Sequence, residues 1–249
     1  MYRIYEKWLW IQIKNGPFPH HIGIIPDGNR RWARERGLPI HNGHSYGYEK
    51  IKEVLKWIWE LKIPYVTLFA MSTENCIYRS PEEREHLFNI IKKGLKELKE
   101  NPEVHRNKVK ILVVGKTELL PDELKELITE VIDTTKDYDR YVLTIAICYG
   151  GRQEIVEAVK TLAYDVERGL ISPLDINEEV FLKYMSTGRI PDLDLLIRTS
   201  GEERISNFLL WHSAYSELYF CDVYWPELRK IDFWRAIRSY QLRERRFGR

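Results

Sequence analysis

The sequence is poor in glutamine, cysteine and long apolar runs, and each scarcity closes off a class of protein. Glutamine occurs only at Gln12, Gln153 and Gln241 while lysine and glutamate abound, a balance that leans towards a heat-adapted source. Three cysteines, Cys76, Cys148 and Cys221, are scattered without C-x-x-C spacing. They read as separate small core residues in a reducing cytoplasm rather than as metal ligands. No apolar stretch approaches the length of a membrane span, and the N-terminus lacks a signal-peptide pattern. With a net charge of +2, no global basic field points to nucleic acid. No G-x-x-x-x-G-K-[ST] follows any apolar run, which disfavours a P-loop nucleotide-binding protein. His41 and His44 sit three apart, but no third ligand has zinc spacing.

What is present is an alternation of short apolar runs and longer amphipathic stretches. Strands are predicted at His21–Ile25, Tyr65–Ala70, Val109–Val114, Tyr141–Cys148, Leu193–Ile197 and Leu218–Phe220. Helices are predicted over residues 43–61, from Pro81 with Ser80 as its cap, and over Asp122–Thr135, Gln153–Arg168 and Ile231–Arg245. This is the pattern of an α/β fold: one domain over residues 1–249, a mostly parallel sheet of about six strands, helices around it. Residues 2–14 form an amphipathic helix within the segment 1–16. It packs on its own domain or a partner, or else lies on a lipid surface with its Trp and Tyr residues.

The stretch around Asp27 organises the rest. An apolar strand ends at Pro26, the chain turns through Asp27-Gly28-Asn29, and a helix restarts with Arg30 and Arg31. Arginines in a first helical turn are unfavourable unless an anion sits there, and Asp27 would repel that anion unless a cation lay between them. The alternative is a plain turn in which Asp27 caps the helix. Further polar clusters follow strands at Ser72-Thr73-Glu74-Asn75, Gly150-Gly151-Arg152 and Arg198 to Ser206. In a parallel sheet such ends share one edge, where ligands bind. Arg198, Arg204 and Ser206 there form a second anion-binding set.

The run from His21 to Ala33, with Gly43-His44, Ser72 to Asn75, Tyr149 to Arg152, Arg198 to Glu202, Arg204 to Trp211, Glu217 to Phe220 and Arg245-Arg246-Phe247-Gly248, closely resembles the cis-prenyltransferases, the undecaprenyl diphosphate synthase-like family. The resemblance runs from about His20 to the end. It implies repeated condensation of isopentenyl diphosphate onto an allylic diphosphate, each new double bond cis. The implied product is a long polycis-polyprenyl diphosphate for a glycosyl carrier lipid. Asp27 would hold Mg²⁺ against the allylic diphosphate. Gly28, Asn29, Arg30 and Arg31, with Trp32 beside them, would cradle that group. Arg198, Arg204 and Ser206 would hold isopentenyl diphosphate, joined by Arg246 and Gly248 of a C-terminal motif that reaches into a second subunit, hence a homodimer. His44, Ser72 and Glu74 match further allylic-site positions. Asn75 and Asn29 are placed to assist proton removal, and Glu217 to support the metal or the second arginine set. A peripheral membrane contact for product release is a further implied partner, and no nucleic acid is. The helix faces 51–61 and 87–98 are candidate walls of an apolar product tunnel.

The chain departs from the bacterial pattern at the allylic end. Met71 stands where an aromatic is usual, Cys76 where Trp is usual, and one residue is inserted before Arg79. Cys148 replaces a common Asn, and the usual Arg before Gly43-His44 is absent. A roomier entrance would suit geranylgeranyl as well as farnesyl diphosphate, as in archaeal-type members. Non-catalytic accessory subunits of the fold typically lose the metal-binding Asp and most of the arginines, which this chain keeps. The trans-prenyl synthases carry Asp-rich motifs that it lacks.

Overall fold

The computed structural model describes residues 2–243. The expectations for Arg246 and Gly248 therefore lie outside the described residues. Six strands form one parallel sheet: β1 (His21–Ile25), β2 (Tyr65–Ser72), β3 (Val109–Val114), β4 (Tyr141–Tyr149), β5 (Leu195–Arg198) and β6 (Glu217–Phe220), in the order β3-β4-β2-β1-β5-β6. Every residue of β1 is buried, because a central parallel strand is covered on both faces and needs no polar alternation.

The chain builds one flank of the sheet first, β2 beside β1, β3 at the edge and β4 filling the place between them, then crosses to the other side of β1 for β5 and β6. The strand order thus reverses between β1 and β5, the switch point at which open α/β sheets take ligands. The register sets Ile25 opposite Arg198, so the turns after both strands meet. At the far end of β2 the pairing with β4 slips around Met71, a bulge that re-aims the side chains entering the next turn.

Helix α1 (Tyr2–Ile13) packs on its own domain. Leu9 and Ile13 are buried, Trp10 lies 5.5 Å from Trp234 between ring centroids, and Gln241 Nε2 donates to the Ile13 carbonyl. Its opposite face leaves Tyr2, Ile4, Trp8 and Ile11 exposed. Beyond it lie α2 (Asn29–Glu35), α3 (Ile40–Glu60), α4 (Thr73–Tyr78), α5 (Pro81–Glu100), α6 (Pro102–Arg106), α7 (Asp122–Thr135), α8 (Gly151–Glu167), α9 (Glu178–Tyr184) and α10 (Lys230–Leu242). Helix α4 stands where the sequence predicts a polar turn, and the sequence predicts neither α6 nor α9. All three are too short for a full apolar period, and the signals of α6 and α9 are their caps, Asn101 and Asn177, each accepting a backbone N–H.

One expectation is corrected. Cys76 and Cys148 are not separate core residues; they form a disulfide with a Cα–Cα distance of 5.5 Å, and Cys221 alone is free. The pairing of β2 with β4 brings the start of α4 beside the end of β4, a juxtaposition that a separation of 72 residues conceals.

Candidate active site

Asp27 sits at the switch point with its backbone locked. Its N–H donates to Thr199 Oγ1 at 2.9 Å, and its carbonyl accepts from that hydroxyl at 2.7 Å and from the Trp225 N–H at 3.0 Å. The carboxylate accepts from the Gly28 N–H at 2.6 Å, so it does not cap α2 in the usual way. Gly28 has φ of +97°, and a Cβ there would stand 2.6 Å from Tyr224 and 2.8 Å from Ser200; only glycine fits. Burial alone would raise the Asp27 carboxyl. The Arg198 guanidinium, 2.8 Å away, outweighs it with the Gly28 N–H and Arg31, and holds the group below the ordinary carboxylate range.

Two adjoining cavities meet at this residue. The smaller, about 410 Å³, is lined by Pro26, Asp27, Gly28 and Asn29 and by the four arginines Arg30, Arg31, Arg34 and Arg79, with His44. The larger, about 1040 Å³, shares Pro26, Asp27, Asn29, His44 and Arg79 with it and runs inward between α3, α5 and the sheet. Its mouth carries Ser72, Glu74, Asn75, Arg198, Ser206 and Asn207; its depth is formed by Ile51, Leu55, Leu95, Leu98, Leu143 and Ile145. The apolar stripe of α3 is therefore divided. Val54 and Ile58 pack in the core, while Ile51, Leu55 and Trp59 face the cavity.

Carboxylates inside the chain balance these cations. Arg31 donates to Glu202 at 2.8 Å and to Ser200 Oγ at 2.6 Å. Glu83 accepts from Arg79, lies 3.1 Å from His44 Nε2, and stands 3.7 Å from Arg30 Nε, too long for a hydrogen bond. The sequence suggests a reciprocal capping box at Ser80–Glu83, and only half of it forms: Ser80 Oγ accepts the Glu83 N–H at 3.3 Å, whereas the Glu83 carboxylate turns into the site. Burial pushes the His44 imidazole down to about 4, despite its bond to Glu83, so it is neutral near pH 7. Asn29 Oδ1 and the Nε atoms of Arg30, Arg79 and Arg198 are buried without a hydrogen-bond partner. Such orphans are uncommon in a native protein, and here they gather around the recess.

The loop after β5 is held in an unfavourable backbone shape. Ser200, Ser206, Asn207 and Leu209 all have positive φ, between 42° and 74°. Non-glycine residues are rare there, and such strain concentrates at functional sites. Arg198 fixes the loop by donating to the Arg204 carbonyl and to Ser206 Oγ, each at 2.5 Å. Asn207 joins it to the start of α8 through the Gly151 and Arg152 N–H groups, and its Nδ2 reaches Glu74 at 3.3 Å.

Most predicted site residues come together here, and four do not. Trp32 lines neither cavity and packs against Tyr46 and Arg36. Cys76 is committed to Cys148 and lies outside both linings, while its expected companion Met71 is in the larger cavity. Arg204 stands out in solvent, paired with Glu202. Glu217 opens β6 opposite Leu195, at the sheet edge away from Asp27, and pairs with Arg243 at 2.5 Å. Within one chain it does not reach Asp27. Sequence reasoning missed the balancing role of Glu83 and the positioning roles of Thr199 and Asn207. Thr199 and Asn207 had only their places in the loop after β5 as a signal.

Compared with known proteins, residues 25–248 match the family model for undecaprenyl diphosphate synthase. The chain belongs to the undecaprenyl diphosphate synthase family of prenyltransferases. It is 53% identical over 248 residues to the tritrans,polycis-undecaprenyl-diphosphate synthase (GGDP specific) of Sulfolobus acidocaldarius, covering 100% of this chain and 95% of that protein. It is 51% identical over 249 residues to the geranylgeranyl-diphosphate specific synthase of Methanopyrus kandleri, covering 100% and 92%. Among solved structures, lavandulyl diphosphate synthase from Lavandula x intermedia, in complex with dimethylallyl diphosphate, superposes with a TM-score of 0.89 at 34% identity, over 93% of this chain and 99% of that one. A probable undecaprenyl diphosphate synthase from Campylobacter jejuni gives 0.76 at 32% identity, over 94% and 100%.

Proposed function

We propose that this prenyltransferase condenses isopentenyl diphosphate repeatedly onto geranylgeranyl diphosphate, making a long polycis-polyprenyl diphosphate of the kind used as a glycosyl carrier. The observation that carries the reading is the junction of an arginine-rich recess with an apolar cavity at Asp27. A ligand with an anionic head and a long apolar tail matches that pair. The names of the archaeal relatives favour the geranylgeranyl primer over farnesyl diphosphate. Met71 in the cavity lining is the sequence departure consistent with it.

In this reading the recess takes the allylic diphosphate, with Arg30, Arg31 and Arg79 on its oxygens and Gly28 and Asn29 closing over it. Arg198 and Ser206, with Arg204 swinging in from solvent, take the diphosphate of isopentenyl diphosphate. The allylic carbon–oxygen bond breaks, a carbon–carbon bond forms to the terminal carbon of isopentenyl diphosphate, and a proton leaves its C2. Departure concentrates negative charge on the leaving group, so guanidinium groups fixed beforehand lower the barrier selectively. Asn75 and Asn29 are neutral amides; they assist by orienting the oxygen that receives the proton.

The donor set at Asp27 fits Mg²⁺. The carboxylate is partly exposed at the mouth of both cavities and held ionised, and Asn29 Oδ1 nearby is without a partner. Among the described residues no three His, Cys, Asp or Glu side chains form a metal-binding group. A cation would therefore rest on Asp27 and substrate oxygens, as Mg²⁺ commonly does. Bound there, it would neutralise the departing diphosphate. A homodimer completed by Arg246 and Gly248 belongs to the same proposal. So does peripheral membrane contact through the exposed face of α1; no helix among the described residues is long and apolar enough to cross a membrane.

The test is incorporation of labelled isopentenyl diphosphate with Mg²⁺ and, in turn, dimethylallyl, geranyl, farnesyl and geranylgeranyl diphosphates. Geranylgeranyl diphosphate is expected to prime best, and Asp27→Ala to lower turnover by at least roughly 10²–10³-fold. Wild-type protein inactive with every primer would sink the proposal in favour of an accessory subunit.

A further inference from the structure

Helix α3 carries two glycines in its interior, Gly43 and Gly47, and both are buried. Glycine weakens a helix interior relative to alanine, so each position needs a reason. Both face Asn29 at the start of α2. A Cβ on Gly43 would stand 2.1 Å from the Asn29 carbonyl oxygen and 3.1 Å from the Ala33 Cβ. Gly43 thus serves the close packing of two helices. A Cβ on Gly47 would stand 2.4 Å from Asn29 Oδ1 and 2.9 Å from its Cγ. Here the missing side chain makes room for the polar side chain of a residue that lines both cavities.

Hydrogen bonds do little to fix that amide. Asn29 Nδ2 donates to the Pro26 carbonyl at a long 3.3 Å, and Oδ1 is buried with no partner. The amide's place is set by the slot between the Asp27 turn and α3, and Trp225 spans that slot. Trp225 is fully buried. Its backbone N–H donates to the Asp27 carbonyl at 3.0 Å, and its indole Nε1 donates to the Gly47 carbonyl at 2.8 Å. One residue, arriving from the loop after β6, thus ties the Asp27 turn to the helix position against which the Asn29 side chain rests. A buried tryptophan fills volume and finds a partner for its N–H. This one also fixes the spacing of two backbones that hold an amide between them.

We infer that Gly47 and Trp225 are positioning residues for the condensation, and that they act by holding the Asn29 amide in register with the reacting groups. This rests on the condensation reading above, in which Asn29 assists departure of the proton from C2 of isopentenyl diphosphate. Isopentenyl diphosphate itself is held by the arginines and Ser206. A shifted amide therefore leaves its binding in place and slows the step that removes the proton. A misplacement of about 1 Å at such a group can cost roughly 10²-fold in rate.

The test compares wild type with Gly47→Ala, Trp225→Phe and Asn29→Ala, and with Gly47→Ala and Trp225→Phe each added to Asn29→Ala. A single addition to geranylgeranyl diphosphate is followed, with isopentenyl diphosphate carrying hydrogen or deuterium at C2, alongside thermal unfolding. Gly47→Ala is expected to lower kcat by roughly 10- to 10²-fold and to leave KM for isopentenyl diphosphate within about twofold. It should also enlarge the deuterium isotope effect. A merely structural lesion would reduce the amount of folded enzyme and leave the isotope effect alone. Trp225→Phe, which keeps a ring and loses the indole N–H, should act in the same direction by about threefold. Added to Asn29→Ala, Gly47→Ala should cost less than about twofold more, because the amide it displaces is already gone. The same pair should regain the thermal midpoint that Gly47→Ala loses alone. Should Gly47→Ala fail to fold, Trp225→Phe in the two Asn29 backgrounds puts the same question. Equal fold-losses in both backgrounds, or an isotope effect that neither variant changes, overturn the positioning role while the condensation reading stands. A wild type that adds no isopentenyl unit overturns both.

Discussion

The arginine recess and the apolar cavity share Asp27, Asn29, His44 and Arg79, yet they are built by opposite means. One contiguous stretch, residues 26–34, supplies most of the recess, and its cations are balanced by Asp27, Glu83 and Glu202. The cavity takes its walls from two helices and two strands, and its apolar faces seek no particular partner. An anion entering the recess must therefore compete with carboxylates already placed. A prenyl tail entering the cavity only displaces water. Selectivity for the head is thus electrostatic and sensitive to single residues, while selectivity for the tail is spread over many contacts.

The sharpest way to break the recess is at Arg198, whose side chain is 4% exposed and paired with Asp27. Arg198→Met should lower turnover by roughly 10²–10³-fold, as expected for loss of a preorganised donor. It should also destabilise the fold by about 2 kcal/mol, since a half-buried carboxylate loses its closest charged donor and keeps only Arg31 at 3.6 Å and the Gly28 N–H. Asp27→Asn added to it should recover much of the stability measured by urea unfolding and none of the activity. Recovery of activity would show that the pair is structural only.

The same contrast explains what could be read in the sequence. The recess was legible because its residues are neighbours in the chain: strand, glycine turn and two arginines stand within eleven positions. The parallel sheet was legible from apolar runs alternating with helical stripes. The cavity walls could be named as stripes on α3 and α5, but not which side chains of each stripe meet the sheet; Ile58 and Ile51 look alike until packing separates them. Long-range pairings were hidden altogether. In sequence Glu83 reads as half of a cap that it does not complete, and nothing there relates Cys76 to Cys148. Glu217 lies at the wrong sheet edge to meet Asp27 because strand direction, rather than motif order, decides which end of β6 it occupies.

The disulfide lies where the two regions join, since α4 carries Glu74 and Asn75 at the cavity mouth and Cys76 just behind them. Closing a loop of 72 residues restricts the unfolded chain and stabilises the native one by up to about 4 kcal/mol. Cys148→Ala, or reduction with a dithiol, should lower the midpoint of thermal unfolding by several degrees. The geometry of α4 should survive, because Thr73 Oγ1 still donates to the carbonyl of residue 148 and Ser72 still caps the helix. The expected loss is therefore in stability, with KM for the primer nearly unchanged. A large rise in KM would mean that the bridge itself shapes the entrance.

The smallest effect separates two histidines that look alike. Burial pushes both His21 and His44 down to about 4. His21 sits at the start of β1 between Thr67 and the Pro191 carbonyl, remote from the recess; His44 lines it beside Glu83 and Arg79. Because each native pKa is below the unfolded one, the unfolded chain binds the extra proton first. Stability is therefore lost as pH falls from about 6.5 towards 4, and His44 alone contributes about 2 kcal/mol of that loss at pH 5. His44→Gln should remove its share and flatten the acid limb of the stability curve. Inorganic diphosphate should divide the pair, because an anion in the recess favours a charged imidazole at His44 and leaves His21 beyond its reach. In an NMR titration of the ring protons, the His44 midpoint should rise with diphosphate while that of His21 stays fixed. If both move together, the anion is acting through the whole fold, and the recess is not its seat.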